Sequence, residues 1–200
     1  AKIHVHEALF TLIPGVIFQQ GSEKEYLDLA GKLPPSPFFF HTGVDSNNVQ
    51  ILSCIPEKLH NLLGKRFSEL SFNHGSSSFL SYLFKERFNL IGQEIWINLF
   101  GEHAYIAAFT DQELSVFNRF EVETKEDVLK YALILMETLQ HDRNHARVTL
   151  FGASEKSGIT EAWGKSYFSN FRILRPHTNQ NYGPGLSQEK APTIFESFWN

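Results

Sequence analysis

Residues 96–109 read WINLFGEHAYIAAF, two alternating apolar runs on either side of Gly101-Glu102. Side chains of a strand point to opposite faces with a period of two, and a glycine-containing pair between such runs is a hairpin signal. The pattern therefore predicts a strand over 94–100, a tight turn and a second strand over 103–110. A third alternating run, 113–122, follows another very short turn and completes a meander. The question is whether the Gly101-Glu102 turn can hold a phosphate group.

Working outward, Thr124 with Asp127 has capping-box spacing and opens the strongest helix of the chain, 125–140. Its apolar stripe is Val128, Leu129, Ala132, Leu133, Met136 and Leu139, with Glu126 and Lys130 as a supporting i,i+4 pair. Then come a strand over 147–151, a helix over 158–168 and a strand over 170–174. The stretch 176–192 is polar and rich in Gly and Pro, hence a long loop, before a short apolar close at 193–199. The second half thus reads β-β-β-α-β-α-β, with a terminal helix as an option.

Toward the N-terminus, 2–12 alternates imperfectly as one strand ending at Pro14-Gly15. Ser22 and Glu25 suggest a capping box for a helix with Tyr26, Leu27 and Ala30. A loop through Pro34, Pro35, Pro37 and Asp45–Asn48 leads to a strand over 49–55. Pro56 suits a helix start, and Leu59, Leu62, Leu63 and Phe67 mark its apolar side. A short strand over 68–72 and a helix capped by Ser76–Ser78 follow. This β-α-β-α-β-α order equals the second-half order without its leading hairpin, the mark of two copies of one module. Three antiparallel strands followed by alternating helices and strands build a mixed sheet covered on both faces. The fold class is α/β, with two ribonuclease-H-like modules, 1–92 and 93–200, and a boundary near Gly92.

Composition narrows the classes of function. Of 200 residues, 42% are hydrophobic and 20% charged, with a net charge of −4, and the short basic pairs Lys65-Arg66 and Lys85/Arg87 lie beside Glu69 and Glu86. A nucleic-acid surface needs a clustered basic face, so nucleic acid is not an expected partner. No apolar run is long enough to span a bilayer and no signal-peptide pattern opens the chain. Cys54 is the single cysteine, which precludes an internal disulfide and fits a reducing, cytoplasmic location.

The run LSVFNRFEVETKEDVLKYALILMETLQ followed by VTLFG, and LFTLIPGVIF followed by the capped helix to Leu29, resemble an uncharacterised bacterial family with an actin-like ATPase fold. The resemblance spans most of 8–175 and is related in fold to the actin-like subunits of pilus and secretion assemblies. It implies an actin-like arrangement of the two modules, in which members usually open with a further strand pair before the equivalent of Ile3. Without that pair the first phosphate-binding turn is lost and an edge of the first module is left unpaired, which predicts a homodimer or a segment supplied from elsewhere.

The resemblance also locates a nucleotide site. Active actin-like proteins carry Asp and then small residues at the turn opening the second module, where the carboxylate organises metal and water and glycine admits phosphates to backbone N–H groups. Asn98 stands in the place of that Asp, followed by Leu99, Phe100, Gly101 and Glu102. Asn lacks the charge, Phe100 crowds the turn, and a desolvated Glu102 would repel an anion by roughly 4 kcal/mol at about 4 Å for an effective dielectric of about 20. A plain hairpin is the preferred reading. The second element, Gly152-Ala153-Ser154, sits where adenosine would pack, although a tight strand-to-helix turn alone explains Gly152 and is the preferred reading. Asn98, Gly101, Gly152, Ala153 and Ser154 are thus a vestigial nucleotide site. ATP with Mg²⁺ remains the alternative ligand, and no catalytic or metal-ligating residue is assigned.

Other chemistry is weaker. Asn98 removes the leading carboxylate a ribonuclease-H-like nuclease needs for its metals. His4 and His6 alternate on one strand without a third ligand, and His141 and His145 flank a turn-like Asp-Arg-Asn. Cys54 lies in an apolar strand, and the Phe151-Gly-Ala-Ser-Glu stretch lacks a nucleophile elbow. The expected role is a noncatalytic scaffold acting through an unidentified protein partner, with an ATP-binding switch as its rival.

Overall fold

The structure is a computed structural model that describes residues 1–152, 157–175 and 195–198. The chain divides into two compact units, Ala1–Phe84 and Lys85–Asn200. Each is taken by itself.

In the first unit, β1 (Lys2–Val5) pairs in parallel with β5 (Ser71–His74), while β2 (Phe10–Pro14) runs antiparallel to β4 (Val49–Pro56), which also pairs with β3 (Pro37–Val44). The single strand expected over 2–12 is therefore two strands in separate sheets. The backbone breaks between them because Gly75 N–H bonds Val5 O at 2.8 Å while Ser53 Oγ donates to Leu9 O at 2.8 Å, drawing the two ends to different neighbours. The proline-rich loop expected over 34–48 is also wrong: residues 37–44 of it are β3. Pro37, which has no N–H to give, sits at the first residue of an outer strand where that loss is tolerated. Val44 pairs with Val49 across a turn in which Asp45, Ser46 and Asn47 all take positive φ (50°, 55° and 69°). The first half is accordingly β-β-α-β-β-α-β-α rather than β-α-β-α-β-α.

Helix α1 (Glu23–Ala30) buries Leu27 against Ile13, Leu52 and Cys54. Ser22 makes no side-chain cap; Glu23 Oε2 instead accepts from Gly21 N at 2.9 Å. Helix α2 (Glu57–Gly64) buries none of its residues fully and leans Leu63 toward Phe40, Ile55 and Phe72. Helix α3 (Ser77–Glu86) follows β5 directly, then a single 3₁₀ turn at Arg87–Asn89.

The second unit follows its sequence pattern closely. Strands β6 (Gln93–Phe100), β7 (His103–Thr110) and β8 (Glu113–Glu121) form the meander, then α4 (Lys125–Thr138), β9 (Arg147–Phe151), α5 (Glu161–Lys165), β10 (Asn170–Ile173) and α6 (Phe195–Phe198). The sheet order is β10-β9-β6-β7-β8, with β10, β9 and β6 parallel. Both hairpins use two-residue loops: Gly101 has φ +59° with Glu102 in the ordinary region, and Asp111-Gln112 both have positive φ, 50° and 73°. Loops of these shapes match the strand twist.

Thr124 caps α4 as expected: its Oγ1 accepts from Asp127 N at 3.2 Å, and Asp127 Oδ2 accepts from Thr124 N at 3.0 Å. Val128, Ala132, Leu135 and Met136 pack on Ile95, Ile97, Ala104, Ile106, Ala108, Val148 and Leu150, the core of the unit. The Glu126–Lys130 pair does not form, since Lys130 Nζ stands 4.7 Å from the Tyr131 ring centre and Glu126 lies 4.0 Å from Lys125. The helix expected over 158–168 is a single turn, α5, capped by Thr160. The long loop expected over 176–192 lies outside the described residues. Among them, no helix is long and apolar enough to cross a membrane.

Candidate functional site

The carboxyl ends of β6 and β9 meet. Asn98 pairs with Phe151 in parallel register and with Tyr105 in antiparallel register, and Gly152 lies against the backbone of Leu99. This is also where the sheet changes direction of growth, β7 and β8 to one side of β6 and β9 and β10 to the other. Crevices at such switch points are the common ligand sites of open α/β sheets. Asn98, Gly101 and Gly152 are therefore brought to one end of the sheet. Ala153 and Ser154 lie outside the described residues.

Each residue has a local reason for its place. Gly152 has φ +74°, and a Cβ there would stand 2.2 Å from Leu99 O, so no other residue fits without moving β6 or β9. The turn geometry alone explains this glycine. Gly101 is different: its Cβ would meet open space, so only its positive φ selects glycine. Val122 N bonds Glu102 O at 2.9 Å and ties the turn to the end of β8. Glu102 projects into solvent at the tip, and Phe100 is half-buried beside it.

Asn98 faces away from the α4 core, on the surface shared with Glu94 and Trp96 of β6. It is only 5% exposed, and its Oδ1 makes no hydrogen bond. The surrounding face is aromatic: Trp96 stacks on Phe151 (ring centres 5.5 Å apart), Tyr105 on Phe117 (6.0 Å), and Phe195 of α6 meets Phe151 edge-on at 5.1 Å. Arg172 stands over Trp96 at 5.6 Å and donates from Nε to Thr149 Oγ1 at 2.9 Å. Burial pushes the Tyr105 phenol up, with Arg119 pulling it down and Glu196 pushing it further up. His103, at the start of β7, is held below the usual imidazole range, first by burial and then by Arg119.

At the opposite end of β6, a fully buried carboxylate escaped the sequence reading. Glu94 accepts from Arg147 Nε at 2.9 Å and from Arg147 Nη2, while Ile91 N donates to it at 2.8 Å and Arg147 Nη2 also reaches Asn89 O at 3.1 Å. Burial raises the Glu94 carboxyl more than these partners lower it. Only the charge alternation of Gln93-Glu94 against Ala146-Arg147 could have hinted at it.

A second unforeseen group is His74 with Ser76. His74 Nε2 lies 3.1 Å from Glu7 O, a pure acceptor, so Nε2 carries the proton and Nδ1 accepts from Ser76 Oγ at 2.7 Å. Both residues are 0% exposed, so the pair caps the β5–α3 turn and is closed to any substrate. The remaining candidates do not assemble. His141 is buried, with Nε2 3.0 Å from Thr110 Oγ1, whereas His145 is exposed with Nδ1 2.8 Å from Asp142. The His6 ring packs on Gly75. Burial pushes the Cys54 thiol up, which makes it a poor nucleophile. Among the described residues, no group of three or more His, Cys, Asp or Glu is placed to hold a metal.

The fold and the edge where these strands end place the chain among α/β proteins of the actin-like ATPase fold. It is similar to a Bacteroides thetaiotaomicron protein solved by crystallography and described as having an actin-like ATPase fold and unknown function, at a TM-score of 0.76 and 18% identity, covering 88% of this chain and 68% of that one. Residues 1–171 match the family described as "Protein of unknown function (DUF3822)", and the chain belongs to that family. None of the curated proteins matches it.

Proposed function

We propose that this protein is a noncatalytic scaffold built of two ribonuclease-H-like modules, 1–92 and 93–200, whose nucleotide site has become part of a packed aromatic face and which acts in the cytoplasm through a protein partner. The observation that carries this reading is Asn98. It stands where the resemblance calls for a metal-organising Asp, and it is 5% exposed among Trp96, Tyr105 and Phe151 rather than open to water. The strand order β10-β9-β6-β7-β8 supports the ribonuclease-H-like assignment of the second module. The outer strand β2 of the three-stranded sheet supports self-association of the first.

The rival, an ATP-binding switch, draws on the convergence of Asn98, Gly101 and Gly152 at one sheet end, with phosphate held by backbone N–H groups alone. Isothermal calorimetry with ATP, with and without Mg²⁺, separates the two. The scaffold predicts no heat and no thermal stabilisation; micromolar affinity would overturn it in favour of the switch.

A further inference from the structure

The aromatic face beside Asn98 already holds a peptide-like occupant. Phe195 is 1% exposed, its ring set edge-on to Phe151, and Phe151 in turn stacks on Trp96. Tyr105 is paired with Arg119 of β8, and the charge of the next residue, Glu196, raises the Tyr105 phenol while that of Arg119 lowers it. Arg172 stands over Trp96 on the other side. An aromatic floor flanked by two arginines suits an aromatic residue followed by an acid, and Phe195-Glu196 has that chemistry. The buried Asn98 Oδ1 supplies one further requirement, because an unfilled acceptor on this face calls for an N–H donor from whatever lies there.

We propose that the face formed by Trp96, Asn98, Tyr105 and Phe151 is a docking site for a short aromatic–acidic segment of a partner protein, and that the chain's own Phe195-Glu196 occupies it in cis. The proposal deepens the scaffold reading by naming what the partner presents. A tethered segment competes at an effective concentration in the millimolar range, so a partner segment must bind better or arrive where α6 has been drawn away. A main-chain N–H of the partner segment would complete Asn98, which gives the incoming segment one hydrogen bond that the face lacks when α6 covers it.

The test uses the full chain, wild type and Phe195→Ala, with a fluorescein-labelled peptide TIFESFWN (the sequence of residues 193–200) as probe. Anisotropy is expected to show binding to the Phe195→Ala protein about tenfold or more tighter than to wild type, where the cis segment competes. A probe with the phenylalanine matching Phe195 replaced by alanine should not bind. A probe with glutamine matching Glu196 should bind about threefold more weakly, with less salt dependence. No binding to Phe195→Ala, or equal binding to both proteins, overturns the proposal. So does loss of cooperative unfolding in Phe195→Ala, since a segment needed for folding cannot be exchangeable. Wild-type dimers that the probe dissociates would make the occupant a second copy and overturn the assignment to a partner protein. ATP heat with peptide binding intact would sink the scaffold reading and leave the docking site standing, so the two failures are distinct.

Discussion

Asn98 and Gly152 adjoin the same stretch of β6 and have opposite tolerances. Asn98 Oδ1 is buried without a partner, so exchanging the amide for an apolar group removes an unmet polar atom instead of breaking a bond. Asn98→Leu is expected to be neutral or stabilising by up to about 1 kcal/mol in urea denaturation. Asn98→Asp places a carboxyl at the same 5% exposed position, where burial raises its pKa. Ionisation then works against folding, so the destabilisation should grow as pH rises above about 4, the ordinary range for Asp, and nearly vanish below it. A flat pH profile for that variant would show that Asn98 is solvated. Gly152→Ala should cost about 2–4 kcal/mol, because it adds a Cβ 2.2 Å from Leu99 O at a positive φ. Loss of ATP binding in a Gly152 variant would therefore say nothing about nucleotide contact unless folding were measured beside it.

At the scale of elements, α4 and the β6–β9 pair carry the second unit. Thr124→Ala removes the N-cap of α4 and should cost about 1 kcal/mol, read as a shift in the urea midpoint. Hydrogen bonds from Thr124 hold the Asp127 carboxyl below its usual range. A depressed acid contributes stability above its unfolded pKa and loses it as pH falls through the folded value. Acid unfolding of the Thr124→Ala protein should consequently show a weaker dependence on pH below about 4 than wild type. Arg147 is the other lever. Arg147→Ala would strand the Glu94 carboxylate in a fully buried site and should cost about 3–5 kcal/mol. The double replacement Glu94→Gln with Arg147→Met should recover most of that loss, since stranding the charge, rather than losing the pair, causes the damage. A double variant no better than Arg147→Ala would count against this account.

For the whole molecule, the consequence lies in assembly. The three-stranded sheet of the first unit ends in β2 on one side, while β5 lies against β3 on the other, with His74 N donating to Thr42 Oγ1 at 3.3 Å; strand addition at the β2 edge needs only backbone groups. Light scattering on the purified chain is expected to give twice the chain mass, and Leu12→Pro, in the middle of β2, should lower it toward one chain. A monomer mass for wild type across a tenfold concentration range would rule out the dimer.

The second unit was legible in the amino-acid sequence because its signals are local. Alternation over 94–122, two-residue loops at Gly101-Glu102 and Asp111-Gln112, and the Thr124/Asp127 cap each act within a few residues, and the structure reproduces them. The first unit was not, because its strands are chosen by distant partners. A run such as Lys2–Leu12 carries no mark that one half will pair with Ser71–His74 and the other with Ile51–Ser53, 39 residues or more away (Leu12 to Ile51). Pro37 argues against a strand by propensity and is overruled by an outer position that asks for no N–H. The candidate site divides the same way. Asn98, Gly101 and Gly152 were visible as unusual residues at strand ends, but whether Asn98 meets water or aromatic rings depends on Tyr105, Phe151 and Phe195 folding onto one face. Glu94 with Arg147, and His74 with Ser76 and Glu7, are likewise decided only by tertiary structure. Burial and partnership are properties of residues brought together from far along the chain, and no local pattern encodes them.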